Sequence, residues 1–175
     1  MVTPELMEKN HASWSDMLAF VDEFPENETW KEWKKFMRTL FLAGVEQRLD
    51  MYFRAGQSMQ HVIFSTCERH GLENYDPQPS RVTLGRDGEG YFVAYSRSNI
   101  WFSTPERRDV ITSHNGFAVL RSYLLALWRE TRPTDPVPGK KRYLLLLRQP
   151  DLSHQFNESW IGTKRIKRKI RLQAH

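Results

Sequence analysis

Apolar residues recur every three or four positions at the start of the chain, which predicts a helix there. In SWSDMLAFVDEF the apolar side chains fall on one face of a 3.6-residue period. Ser13 is the expected N-cap, and Pro25 ends the pattern because proline disrupts a helix interior.

A second helical stripe runs from Trp30 to Tyr52. It is preceded by Thr29, and Glu32 follows three residues later, which is the spacing of a capping box. Gly56 interrupts the stripe. We therefore expect a long second helix that ends before that glycine.

The segment SMQHVIFSTCERHGL fits either a strand or a helix, and the spacing favours a helix over residues 58–70. Ser58 suits an N-cap and Gly71 a C-terminal stop. Six residues would share one helical face: Met59, Val62, Ile63, Thr66, Cys67 and His70.

From Arg81 the pattern changes to short aromatic and β-branched runs, which predict strands in RVTL, YFVAYS and NIWFS. GRDGEG reads as a hairpin connection, and TPERRD is expected to leave the sheet. A helix capped by Ser113 or Asn115 should follow, and RYLLLLR reads as a buried strand. The fold class is therefore α+β: N-terminal helices packed on a small, mostly antiparallel sheet that one helix interrupts.

The composition fits one domain over residues 1–163 and a basic C-terminal segment over residues 164–175 of the 175-residue chain. Hydrophobic residues make up 39% of the chain, which argues against wholesale disorder. A single cysteine, no secretory pattern at the N-terminus and no apolar run near the ~20 residues of a membrane span predict a soluble cytoplasmic protein.

The positive charge of the chain is concentrated at one end. Its formal net charge is +5, from 26 lysines and arginines against 21 acids. Residues 164–175 hold six of those cations and no acid, so residues 1–163 carry 20 against 21, a formal −1. A broad basic face on the domain is therefore not expected.

Neither a metal site nor a catalytic site is predicted. Cys67 and His70 could share a helical face, but His61 would point elsewhere and no CxxC spacing supports zinc. A nucleophile would have to be assembled from Cys67 or Ser113 with His70 or His114, and sequence spacing does not bring such groups together. We expect Cys67 to be buried and inert.

Two further patterns have ordinary structural explanations. The three glycines of GRDGEG precede an aromatic strand rather than a helix, so a turn is favoured over phosphate binding. An exposed row of aromatics could stack bases, although one face of the sheet must cover the core. The aromatics concerned are Tyr91, Phe92, Tyr95, Trp101 and Phe102.

The C-terminal segment is the least ordinary feature of the chain. We call its cations the basic run: Lys164, Arg165, Lys167, Arg168, Lys169 and Arg171. As helix or strand, the run presents a dense row of positive charge that suits a phosphate backbone, an acidic protein surface or anionic lipid. The ordinary alternative is an end of the chain that only adds solubility.

The sequence therefore favours a small non-catalytic binding protein that contacts nucleic acid or a ribonucleoprotein through the basic run. The alternative is a protein–protein adaptor or assembly factor that uses an aromatic helical surface around Trp30 and Trp33. A small enzyme of unknown reaction is the third hypothesis. No cofactor is expected.

Overall fold

The computed structural model describes residues 2–58, 61–67, 80–97 and 104–138, which we call the body, and all of them fall within one compact unit, Met1–Gly139. The body contains helices α1 (Pro4–Glu23), α2 (Glu28–Glu46) and α3 (Gly116–Thr131), with a 3-10 turn at Leu49–Met51. Its strands are β1 (Arg54–Ser58), β2 (His61–Ser65), β3 (Arg81–Asp87), β4 (Gly90–Ser96) and β5 (Arg107–Ile111).

The five strands form one antiparallel sheet in which the spatial order is the order along the chain. Each strand pairs with the next, so the connections are hairpins rather than crossovers. Two helices precede the sheet and α3 follows it. The predicted α+β class is confirmed, with the N-terminal helices before an antiparallel sheet.

The three helices pack on one face of the sheet, which we call the helical face. Trp14 of α1 packs against Phe64, and Phe36 of α2 stacks on Tyr91 with ring centroids 4.2 Å apart. The hydroxyl of Tyr123 on α3 donates to Asp109 of β5 at 2.7 Å. Because side chains alternate along a strand, the neighbours of these strand residues lie on the opposite face.

The N-cap of helix α1 lies ten residues before the predicted cap at Ser13. Thr3 is the N-cap, its hydroxyl accepts from the Leu6 amide, and Pro4 occupies the first turn. Ser13 is buried within the helix, where its hydroxyl accepts from the Ala55 amide of β1 at 3.0 Å. The helix ends at Glu23, close to the predicted stop at Pro25.

Helix α2 differs from its prediction at both ends. Asn27 is the N-cap and accepts from the Trp30 amide, so the capping box predicted for Thr29 was wrong and that residue lies in the first turn. The helix ends at Glu46 because Arg48 adopts a left-handed conformation with φ 62°. The apolar stripe continued to Tyr52 only because the 3-10 turn and the residues after it also contribute to the core.

The helix predicted over residues 58–70 was wrong, since β1 ends at Ser58 and β2 spans His61–Ser65. Val62, Ile63 and Phe64 are all fully buried, so the strand shows no alternation of apolar and polar positions. Without that alternation, the spacing of the apolar residues fitted a helix better than a strand. The β-branched and aromatic residues of this segment nevertheless favour a strand.

The β3–β4 hairpin is confirmed at GRDGEG, where Asp87 pairs with Gly90 and accepts from the Glu89 amide. The chain does not leave the sheet at TPERRD, as predicted, because β5 forms at Arg107–Ile111 and pairs with β4. Helix α3 is confirmed, with Asn115 as its N-cap position. The strands predicted in NIWFS and RYLLLLR fall on residues outside the body.

Candidate functional site

The side chains considered as metal ligands or nucleophiles are not brought together among the residues of the body. Cys67 is buried with 8% exposure, which confirms that part of its prediction. Ser113 and His114 lie exposed in the turn before α3. No group of three or more His, Cys, Asp or Glu side chains that could hold a metal occurs among the described residues. His70 lies outside the body.

The aromatic strand residues pack rather than form one exposed platform. Tyr91 is stacked on Phe36, and Tyr95 is buried on the same face. Phe92 lies on the opposite face, where the guanidinium of Arg108 covers its ring at 4.8 Å. Trp101 and Phe102 lie outside the described ranges.

Trp33 cannot contribute to the predicted partner surface in this fold, because it is only 1% exposed. Trp30 is half-buried and packs edge-on against Trp33, with Phe24 beside both rings. Burial of Trp33 leaves Trp30 as the accessible member of the pair.

Many cations of the body are held by carboxylates of the same chain. Arg38 pairs with Asp22 across α1 and α2, and Arg107 pairs with Asp109 within β5. Arg108 contacts both Asp87 and Glu89 of the β3–β4 hairpin, at 2.6 and 2.8 Å. These pairs offset positive charge at the surface rather than expose it.

Glu130 is the centre of the most developed polar network. Its carboxylate accepts from the guanidinium of Arg97 at 2.8 Å and from the hydroxyl of Ser80 at 2.8 Å. The hydrogen bonds from Arg97 lower the pKa of Glu130 to about 2. Arg97 also lies 3.4 Å from Glu106, so it joins the start of β5 to the end of α3.

A buried carboxylate joins α1 to the 3-10 turn. Asp50 is 3% exposed and contacts Nδ1 of the half-buried His11. Burial raises the pKa of Asp50, although its hydrogen bond and charge interaction with His11 act in the other direction. The side-chain amide of the neighbouring Asn10 donates to the Met51 carbonyl, so the pair is part of a helix-to-turn clamp. No sequence pattern predicted it, because 39 residues separate the partners.

The body is formally near neutral, like the whole of residues 1–163. The body contains 15 lysines and arginines against 16 acids, a formal −1. Seven of those cations form ion pairs with carboxylates of the body: Lys9, Lys34, Arg38, Arg97, Arg107, Arg108 and Arg132. All six cations of the basic run lie outside the described residues.

Comparisons with protein-family models, curated proteins and solved structures found no match to this chain. Among the residues that the structure describes, no helix has the length and apolar character needed to cross a membrane.

Proposed function

We propose that this protein is a cytoplasmic, non-catalytic binding protein that contacts nucleic acid or a ribonucleoprotein through its basic run. The supporting observation is the separation of charge along the chain. The body carries a formal −1, and nearly half of its cations pair with neighbouring carboxylates. Between Lys164 and Arg171, six of eight residues are cationic and none is acidic.

This separation matters because phosphate binding depends on cations whose charge is not already offset. A lysine or arginine that neutralises a backbone phosphate releases condensed counterions, and that release drives association. An arginine held by two carboxylates, as Arg108 is, gains less from a phosphate because those carboxylates repel the same anion. The basic run contains no such competing acid.

The test is a binding titration of fluorescent single-stranded RNA and duplex DNA with the full chain, over a series of salt concentrations. We expect binding at low salt that weakens as salt rises. If all six cations contacted phosphates, the slope of log K against log salt would be about −5 on duplex DNA and about −4 on single strands. Fewer contacts give a shallower slope, since neighbouring side chains cannot all face one backbone.

Deletion of residues 164–175 should remove most of this affinity, because the remaining chain is formally −1. Unchanged, salt-insensitive binding by the deletion variant would overturn the proposal. So would a full chain that binds neither RNA nor DNA at low salt, and that outcome would favour an acidic protein surface as the partner.

A further inference from the structure

The connection between α1 and α2 brings three accessible aromatic rings together. Phe20 and Phe24 come from the end of α1, and Trp30 comes from the first turn of α2. The ring centroids of Phe20 and Phe24 lie 4.9 Å apart, and those of Phe24 and Trp30 lie 4.8 Å apart. All three side chains are half-buried, whereas Trp33, which packs against Phe24, is buried. The three rings form one apolar surface, and we call Phe20, Phe24 and Trp30 the aromatic elbow.

The aromatic elbow is held in place by the chain around it. Asn27 caps α2 and accepts from the Trp30 amide, so the indole extends from an ordered helical turn. The ammonium group of Lys34 donates to the carbonyls of Asp22 and Phe24, at 3.1 and 3.0 Å, at the end of α1 where the helix leaves carbonyls free. A surface that is ordered before binding loses little conformational entropy when a partner docks.

The segment that carries the aromatic elbow is acidic. Residues 16–28 contain five acids and no lysine or arginine. Asp16 and Glu23 lie four residues before and three residues after Phe20, and these spacings place them beside it on the surface of α1. An acid excess remains when the following turns of α2 are included, since residues 16–38 hold six acids against four cations, a formal −2.

The negative charge around the aromatic elbow is only partly offset. Asp22 pairs with Arg38, and Glu26 lies 3.7 Å from Lys34 with 89% of its own side chain exposed. The other acids of residues 16–28 are exposed and form no ion pair among the described residues: Asp16, Glu23 and Glu28. Their charge is available to a partner that docks on the rings.

This charge decides among the possible partners of the surface. A phosphate backbone or an anionic membrane would be repelled by the acids. A second copy that docked through the same surface would bring the same acids against one another. A cationic segment is attracted by the acids, and its cations can stack on the exposed faces of the rings. Arginine suits this better than lysine, because a guanidinium is planar and more weakly hydrated than an ammonium group.

From these observations we infer that the aromatic elbow binds an arginine-containing segment of another protein. Trp30 is the main contact, because tryptophan is the aromatic side chain that attracts cations most strongly. The free carboxylates of Asp16, Glu23 and Glu28 attract the segment and offset its remaining positive charge. This surface goes beyond the proposed function, since it lies on the body and its partner is opposite in charge to a nucleic acid.

The test is fluorescence anisotropy of a fluorescein-labelled peptide of alternating arginine and glycine, titrated with the full chain at low salt. We expect saturable binding of one peptide per chain, which weakens as the salt concentration rises. Attraction to the net charge of the protein cannot explain such binding, because the full chain carries a formal +5. A peptide with lysine in place of every arginine should bind more weakly.

Trp30→Ala should weaken binding of the arginine peptide about tenfold, because it removes the main stacking surface. A charge variant, Asp16→Asn with Glu23→Gln, keeps every ring and should both weaken binding and reduce its salt dependence. The matched control, Glu8→Gln with Glu46→Gln, removes two exposed acids at the ends of α1 and α2 that are far from the elbow. The control should bind the peptide as the parent does.

Circular dichroism establishes that each variant is folded, and the charge variant decides the question if Trp30→Ala does not fold. Absence of saturable binding of the arginine peptide would overturn the inference. Equal losses in the charge variant and its control would overturn it too, as would equal affinities of the parent for the arginine and lysine peptides. All variants keep the six cations of the basic run, so these outcomes are distinct from a failure of nucleic-acid binding.

Discussion

The body and the basic run use the same residue types in opposite ways. In the body, several arginines contact carboxylates that come from other elements, as Arg38 contacts Asp22 and Arg97 contacts Glu130. In the basic run, six cations follow one another without an acid. The net charge of +5 therefore describes neither region, since it is the sum of a near-neutral body and a concentrated positive segment.

The cations of the body contribute to the fold. Arg108 covers the ring of Phe92 and holds two acids of the β3–β4 hairpin against β5. Exposed pairs of this kind contribute between about 0 and 1 kcal/mol each to the free energy of unfolding. They therefore orient the hairpin as much as they stabilise the fold. Positive charge is therefore available to a partner only where the fold has not already offset it.

If the body folds independently of the basic run, packing inside it should have the largest effect on stability. Gly44 faces the indole of Trp14, and a Cβ at this position would overlap that ring. Gly44→Ala should lower the free energy of unfolding by about 1–3 kcal/mol, the usual cost of overpacking a core. Urea denaturation followed by tryptophan fluorescence measures the change.

Gly88→Ala is the matched control, because a Cβ there meets no atom within 4 Å. Its effect should stay within about 0.5 kcal/mol. Deletion of residues 164–175 should shift the midpoint of urea denaturation less than Gly44→Ala does. A deletion that destabilises as much as Gly44→Ala would mean that the basic run is part of the folded core, and the comparison would fail.

A smaller effect on stability should appear at acid pH, where protonation of the carboxylates removes the ion pairs of the body. The pKa of Glu130 is lowered from 4.5 to about 2, so its contribution is fully present above pH 4.5 and disappears as the pH falls towards 2. Glu130→Gln should destabilise the protein by less than about 1 kcal/mol at neutral pH, since Arg97 is largely exposed. Its stability should then fall less steeply than that of the parent between these two pH values.

Thermal unfolding at a series of pH values measures this difference. Glu46→Gln is the control, because Glu46 is an exposed carboxyl with no ion pair among the described residues. Parallel pH profiles for the parent and Glu130→Gln would show that the contact with Arg97 does not contribute to folding.

The sequence predicted elements whose signal is local. The helical spacing around Leu120 and Leu127 identified α3, and glycines with an aspartate identified the hairpin at Asp87. Strand β2 was not predicted because burial on both faces removes the alternation of apolar and polar residues. Strand β5 was not predicted because it begins with Arg107 and Arg108, which are typical of loops. In β5 these two arginines pair with Asp109, Asp87 and Glu89. Two of those acids belong to the β3–β4 hairpin, so the pairing depends on the fold.

The candidate sites were harder to predict for the same reason. Trp30 and Trp33 are the same residue type and lie three residues apart. On α2, however, Trp33 is buried in the core and Trp30 is only half-buried. The contact between His11 and Asp50 spans 39 residues and follows no motif.

Two variants that each lose three positive charges, from different regions of the chain, separate the effect of the basic run from that of net charge. One variant replaces Lys167, Arg168 and Lys169 of the basic run with glutamine, and the other replaces Arg38, Arg97 and Arg108 of the body. Both lose three positive charges, so their net charges are equal. Binding to duplex DNA at low salt is measured for both by fluorescence anisotropy, after circular dichroism has shown that both are folded.

We expect the variant of the basic run to lose affinity and to have a shallower salt slope, by about 0.9 for each phosphate contact removed. The variant of the body should bind nearly as the parent does, because its three arginines are already held by carboxylates. Equal losses in the two variants would show that net charge, rather than the position of the basic run, controls binding. That result would contradict binding through the basic run.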